Sequence, residues 1–107
     1  MTRTDITVFG GGLPPAHPGE ILAEELQARG LTAHRAALKM RIPANRLAAI
    51  IKGERAITAE TALRLAALFG VSAQFFMNLQ SQYELAAATR DLGAKIAREV
   101  EAAQTGT

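Results

Sequence analysis

Cysteine is missing from this sequence altogether, which removes disulfide scaffolds, thiol nucleophiles and cysteine-ligated zinc from consideration. Long apolar runs are missing too. No stretch reaches the roughly 18 uninterrupted apolar residues of a membrane-spanning helix. The opening residues MTRTDITVFGGG lack the basic start and long apolar core of a secretion signal. The two histidines, His17 and His34, have no His or Cys partner at ligand spacing, so no metal site is expected and no cofactor. The Gly10-Gly11-Gly12 run lacks the strand-to-helix frame and the Lys-Ser/Thr of a phosphate loop. Carboxylates are scattered, and no pair is spaced as acid and base. These absences argue against an enzyme, a small-molecule substrate and a membrane location, and lead to the expectation of a cytoplasmic domain.

What is present suffices for one core. The 107 residues are 49% hydrophobic, which suits a single domain and leaves little room for a second. The formal net charge is only +2 although the pI is about 9.5. With no Cys and one Tyr, little titrates just above neutrality, so a small excess persists to high pH. Distribution is more informative than the total. From Arg29 to Arg55 seven cations face Glu54 alone, a balance of +6, and the remaining residues carry −4.

Caps and stops divide the chain into helices. Residues 1–16, with Gly10–Gly12, Pro14-Pro15 and a strand-like Ile6–Phe9, are expected to form a mobile N-terminal arm. Pro18 suits the first turn of a helix running to residue 29, with Ile21, Leu22 and Leu26 as its apolar stripe and Gly30 as its stop. Thr32 caps a short helix ending near Met40, and Pro43 opens another that Gly53 stops. Thr58 caps a fourth helix, with Ala62, Leu63, Ala66 and Phe69 expected inward and Gly70 as its stop. Ser72 caps a fifth, longer segment bearing Phe75, Phe76, Leu79 and Tyr83 at helical spacing. Residues 91–101 read as a last, weaker helix with Gly93 near its start. The fold class is all-α: about five short helices plus a weaker C-terminal one. The domain is expected over 17–88, with a C-terminal helix and tail over 89–107.

Spacing and chemistry meet between Ala33 and Gly53. Two short helices joined by a tight turn need a small residue where they cross, and Ala37 supplies it. Met40, Ile42, Leu47 and Ile50 provide apolar contacts around the turn, and Ile51 is expected inward as well. Ala44, Asn45, Arg46, Ala49 and Lys52 are left to point outward, as on a helix that enters the major groove. This arrangement resembles the lambda-repressor-like (XRE) helix-turn-helix. The resemblance is closer to HigA-type antitoxins, the addiction-module antidote proteins. It rests on HPGEIL at His17–Leu22, PANRLAAIIKGERAITAETALRLA at Pro43–Ala66 and FFMNLQSQY at Phe75–Tyr83. Three departures from the family pattern concern Arg41, Ala33 and Ala44. Arg41 stands where relatives usually carry Gly, and a positive φ there costs about 1 kcal/mol. Ala33 replaces a common phosphate-touching Gln, and Ala44 replaces a common base-reading side chain.

Asn45 has the chemistry to pair with adenine and Arg46 with guanine, against a capping or solvent role for Asn45. Lys52 and Arg55 read as phosphate contacts, or as cations favoured at a helix C-terminus. Arg35, Lys39 and Arg41 flank the groove or form an ordinary solvated face. The Phe75, Phe76, Leu79, Tyr83 stripe reads as core, with surplus apolar surface available to a second subunit. One copy reads too few base pairs for useful specificity, so a homodimer on an inverted-repeat operator in double-stranded DNA is expected. The resemblance implies a second partner, a cognate toxin of the RelE-like mRNA-cleaving kind, and autorepression of the shared operon. A stand-alone regulator, or an interaction module that has lost DNA binding, are the other readings.

Overall fold

Each helix begins and ends where local chemistry directs. In a computed structural model, which describes residues 16–103, five helices follow one another. They are α1 (Pro18–Ala28), α2 (Ala33–Met40), α3 (Ala44–Ile51), α4 (Ala59–Phe69) and α5 (Ala73–Glu99). The described residues contain no strand. Apart from Ala16, the expected N-terminal arm lies outside the described residues, as do the last four positions. Thr32, Thr58 and Ser72 cap α2, α4 and α5, accepting hydrogen bonds from the N–H groups of Arg35, Thr61 and Phe75.

Two expectations are corrected. Residues 91–101 do not start a separate, weaker helix, because α5 runs without interruption to Glu99. A lone glycine costs a helix only about 1 kcal/mol relative to alanine, and the alanines around Gly93 favour continuation. Leu63 is 64% exposed rather than inward, and Leu65 fills the core in its place. With Thr58 as the cap, the inward face of α4 takes Thr61, Ala62 and Leu65, which turns Leu63 outward. Ile51, expected inward, is half-buried at the core's edge.

The core lies where α1, α2, α3 and α4 converge on the first turns of α5. Leu22, Leu47, Ile50, Leu65 and Phe76 are essentially inaccessible to solvent. Each such side chain contributes about 1.5–3 kcal/mol by leaving water. Phe76 stacks edge-on against Phe75 and lies beside Phe69, so the aromatic stripe meets α4. Tyr83 meets the His17 ring edge-to-face at 4.7 Å, tying α5 to the start of α1.

The tightest contact is backbone on backbone. His17 caps α1 through Nδ1, which accepts from the Gly19 N–H at 2.9 Å, and Pro18 occupies the first turn. This brings Gly19 against the last turn of α3. A Cβ at Gly19 would lie 2.0 Å from the Ile50 carbonyl oxygen and 2.8 Å from that of Ile51. Only glycine allows the approach.

Gly19→Ala is expected to lose at least about 2 kcal/mol, because rigid backbone must move. Gly93→Ala should gain about 0.5–1 kcal/mol, since its Cβ would meet only Thr89 Cγ2 at 3.5 Å. Urea denaturation of both variants, followed by circular dichroism, checks the pair. Equal stabilities would contradict the assigned approach of α1 to α3.

Candidate nucleic-acid interface

The candidate surface is built around the turn between α2 and α3. At the end of α2 the Arg41 N–H bonds to the Leu38 carbonyl at 3.2 Å, and the Ile42 N–H reaches back to the Ala37 carbonyl at 3.1 Å. That pair of bonds closes a helix with its penultimate residue in the left-handed region. Arg41 accordingly has φ 60° and ψ 46°, and is the one non-glycine residue with positive φ among the described residues. The turn position does require the conformation that glycine adopts freely. Gly53 ends α3 in the same way, with φ 81°. Ala37, Met40, Ile42, Leu47 and Ile50 are all buried around the crossing, as their spacing predicts.

α4 secures this turn from behind. Arg64 Nη1 donates to the Met40 carbonyl at 2.9 Å, placing a cation on the open C-terminal carbonyls of α2. Arg64 Nε also donates to Glu60 Oε2 at 3.1 Å. The other oxygen of Glu60 lies 3.8 Å from Arg46 Nη1. Arg46 is therefore half-buried and leans towards α4 instead of standing free, whereas Ala44 and Asn45 are exposed at the start of α3. Pro43 occupies the cap position of α3, so Asn45 does not cap it. Ala49 is half-buried, less outward than its spacing suggests.

The cationic segment divides in two. Arg29 pairs with Glu25 and lies over the Phe69 ring, 4.4 Å from its centroid, so it serves the edge of the core. Arg35, Lys39, Arg41, Lys52 and Arg55 are exposed and make no ion pair among the described residues. All five stand on α2, α3 or the segments directly following them. Far from this surface, Asp91 raises the pKa of the Arg90 guanidinium above its ordinary value, through a hydrogen bond and then through its charge. No group of three or more His, Cys, Asp or Glu among the described residues is placed to hold a metal ion. No described helix is long and apolar enough to cross a membrane.

This geometry has counterparts in known proteins. A helix-turn-helix family model matches residues 22–76. An addiction module antidote protein of the HigA family from Coxiella burnetii is 47% identical, with a TM-score of 0.80, covering 85% of this chain and all of that one. The chain belongs to the HigA-type helix-turn-helix antitoxins. Another solved relative is the Pseudomonas aeruginosa antitoxin HigA with the higBA promoter. It is 40% identical at a TM-score of 0.80, covering 84% of this chain and 99% of that one. Virulence-associated protein I of Dichelobacter nodosus is 45% identical over 80 residues, 74% of each chain. In this HigA-family chain the departures at Arg41, Ala33 and Ala44 therefore sit on an intact fold.

Sequence reasoning passed over several residues that hold the surface. Gln80 is buried; its Oε1 accepts from the Ile57 N–H at 2.8 Å and its Nε2 donates to Glu84 at 2.8 Å. It fastens the segment that carries Arg55 to α5. The available signal was a glutamine directly after Leu79 on an otherwise core-facing stretch. Glu60 and Arg64 gave only an i, i+4 spacing, which commonly marks a solvated helix pair.

Gln80→Ala leaves the buried Ile57 N–H without its partner and is expected to cost about 1–3 kcal/mol. Hydrogen exchange at Ile57 should quicken in step, and an unchanged rate would refute the tether. Arg41→Gly should stabilise the fold by about 0.5–1 kcal/mol, the relief of left-handed strain outweighing glycine's added freedom when unfolded. A lower melting temperature for that variant would contradict the strain.

Proposed function

We propose that this chain is an operator-binding antitoxin that represses its own operon as a homodimer and neutralises a RelE-like mRNA-cleaving toxin. The observation that carries the DNA part is the exposed N-terminal turn of α3 set among five exposed cations that make no ion pair among the described residues. α3 enters the major groove, where Asn45 offers the bidentate edge that adenine accepts. Arg46 turns from Glu60 to a guanine. That pair is long and half-open to solvent, and exposed pairs are worth about 0–1 kcal/mol, so the exchange is inexpensive. Lys52, Arg55, Arg35 and Arg41 meet phosphates on either side of the groove. Ala44 and Ala49 contribute shape and apolar contact instead of hydrogen bonds. Two copies read an inverted repeat with recognition helices about 34–36 Å apart.

The HigA relative solved with the higBA promoter supports the DNA-binding part. The toxin part rests on family membership, and co-purification with the neighbouring gene product tests it directly. Mobility-shift titrations at several salt concentrations test the DNA part. Arg46→Ala should weaken operator binding by about 1–3 kcal/mol and relax sequence preference. Lys52→Ala should weaken binding to all sequences alike and lower the salt slope by about one. Undiminished, equally selective binding by Arg46→Ala would remove α3 as the reading helix.

A further inference from the structure

The strained residue of the turn stands at a groove. Lys39, Met40, Arg41, Arg64, Ala67 and Leu68 line an open cleft between the last turn of α2 and α4. Three of these side chains are cations, and no carboxylate lines the cleft with them. Lys39 and Arg41 make no ion pair among the described residues. Arg64 is fixed at two atoms, Nη1 on the Met40 carbonyl at 2.9 Å and Nε on Glu60 Oε2 at 3.1 Å. Its Nη2 makes no hydrogen bond among the described residues. The C-terminus of a helix by itself repels anions. Here the Arg64 guanidinium lies on the last carbonyl of α2 and offsets that charge.

Backbone strain marks the same place. Arg41 has φ 60° and ψ 46°, a conformation that glycine adopts without the clash of a Cβ. An arginine there lowers the stability of the fold and adds a charge to the groove. Strain of this kind clusters at sites that bind ligands. Three cationic donors around one cleft match an anion with several oxygens on one centre. A phosphate offers at least three such oxygens, whereas a carboxylate offers two in one plane.

We propose that this groove is a phosphate site, in which Lys39, Arg41 and Arg64 Nη2 donate to the oxygens of one phosphate group. Free phosphate and the backbone of a nucleic acid present the same chemistry to it. Arg41 is then held in its strained conformation for its charge, at the expense of the fold. The site itself rests on the free chain alone. Only its occupation by an operator phosphate rests on the DNA-binding reading above.

Amide NMR of the full chain tests the site, with inorganic phosphate titrated against chloride and acetate at matched ionic strength. Phosphate should shift the amides of Lys39–Ile42 saturably, and the two control anions should not. Arg41→Gly and Lys39→Gln should each weaken that response. Lys95→Gln, which removes a cation from the far part of α5, should leave it unchanged. Arg41→Gly should also melt no lower than the native chain, so its lost binding is not lost folding. In mobility shifts Lys39→Gln should weaken operator and random duplex alike, by about fivefold at about 0.15 M salt, the share of one released counterion. A phosphate response with unchanged DNA binding supports the site and assigns it to free phosphate. A phosphate response in a chain that binds no DNA leaves the site standing and sinks only the operator reading. The absence of a phosphate response overturns the proposal, as does an equal response to acetate. So does an equal loss from Lys95→Gln, or a response that survives both Arg41→Gly and Lys39→Gln.

Discussion

The backbone of α1 comes so close to the last turn of α3 that no side chain fits between them at Gly19. That contact sets where α3 stands. His17 fixes the start of α1 from one side by accepting the Gly19 N–H, and its ring packs beside Gly53 and Tyr83. One short segment thus joins the beginning of α1, the end of α3 and the middle of α5. The N-terminal block His17-Pro18-Gly19 supplies a cap, a first-turn proline and a close-approach glycine, each for a separate physical reason.

Polar side chains complete what the apolar core begins. The crossing of α2 and α3 is apolar, but its turn strains Arg41 and leaves the carbonyls of α2 open. Arg64 answers the second problem from α4, and Glu60 aims it. The same carboxylate lies near Arg46, so one acidic residue bears on both the turn and a side chain of α3. Gln80 performs the corresponding task for the segment after α3. Because Ile57 is buried, its N–H needs a protein partner, and Gln80 brings one from α5. The exposed residues at the start of α3 and after it are thereby positioned by groups that lie behind them.

The division of charge read from the sequence holds in three dimensions, in narrower form. Arg29 leaves the cationic surface for Phe69 and Glu25, and Arg46 is partly engaged by Glu60. Arg35, Lys39, Arg41, Lys52 and Arg55 remain exposed. Excess acid falls on the other elements, including Glu20 and Glu24 on α1 and Glu84 on α5.

Helix starts and stops were legible in the sequence because they depend on neighbouring atoms alone. Thr32, Thr58 and Ser72 cap as their chemistry dictates, and Gly30, Gly53 and Gly70 adopt the positive φ that ends helices. The buried set around the helix-turn-helix was legible too, since the crossing needs small and apolar residues at fixed spacing. The length of α5 was misread because Gly93 is a weak breaker whose cost the surrounding alanines offset. The face of α4 was misread at Leu63 because periodicity leaves the phase open until the cap and the neighbour are both placed. What the sequence by itself determined is an all-α helix-turn-helix with a cationic central segment, since local propensity and spacing suffice for that. Only the tertiary structure decided that Arg46 leans on Glu60, that Gln80 holds Ile57 and that Gly19 must lack a side chain. Those are distances between residues far apart in the chain, and no local rule measures them.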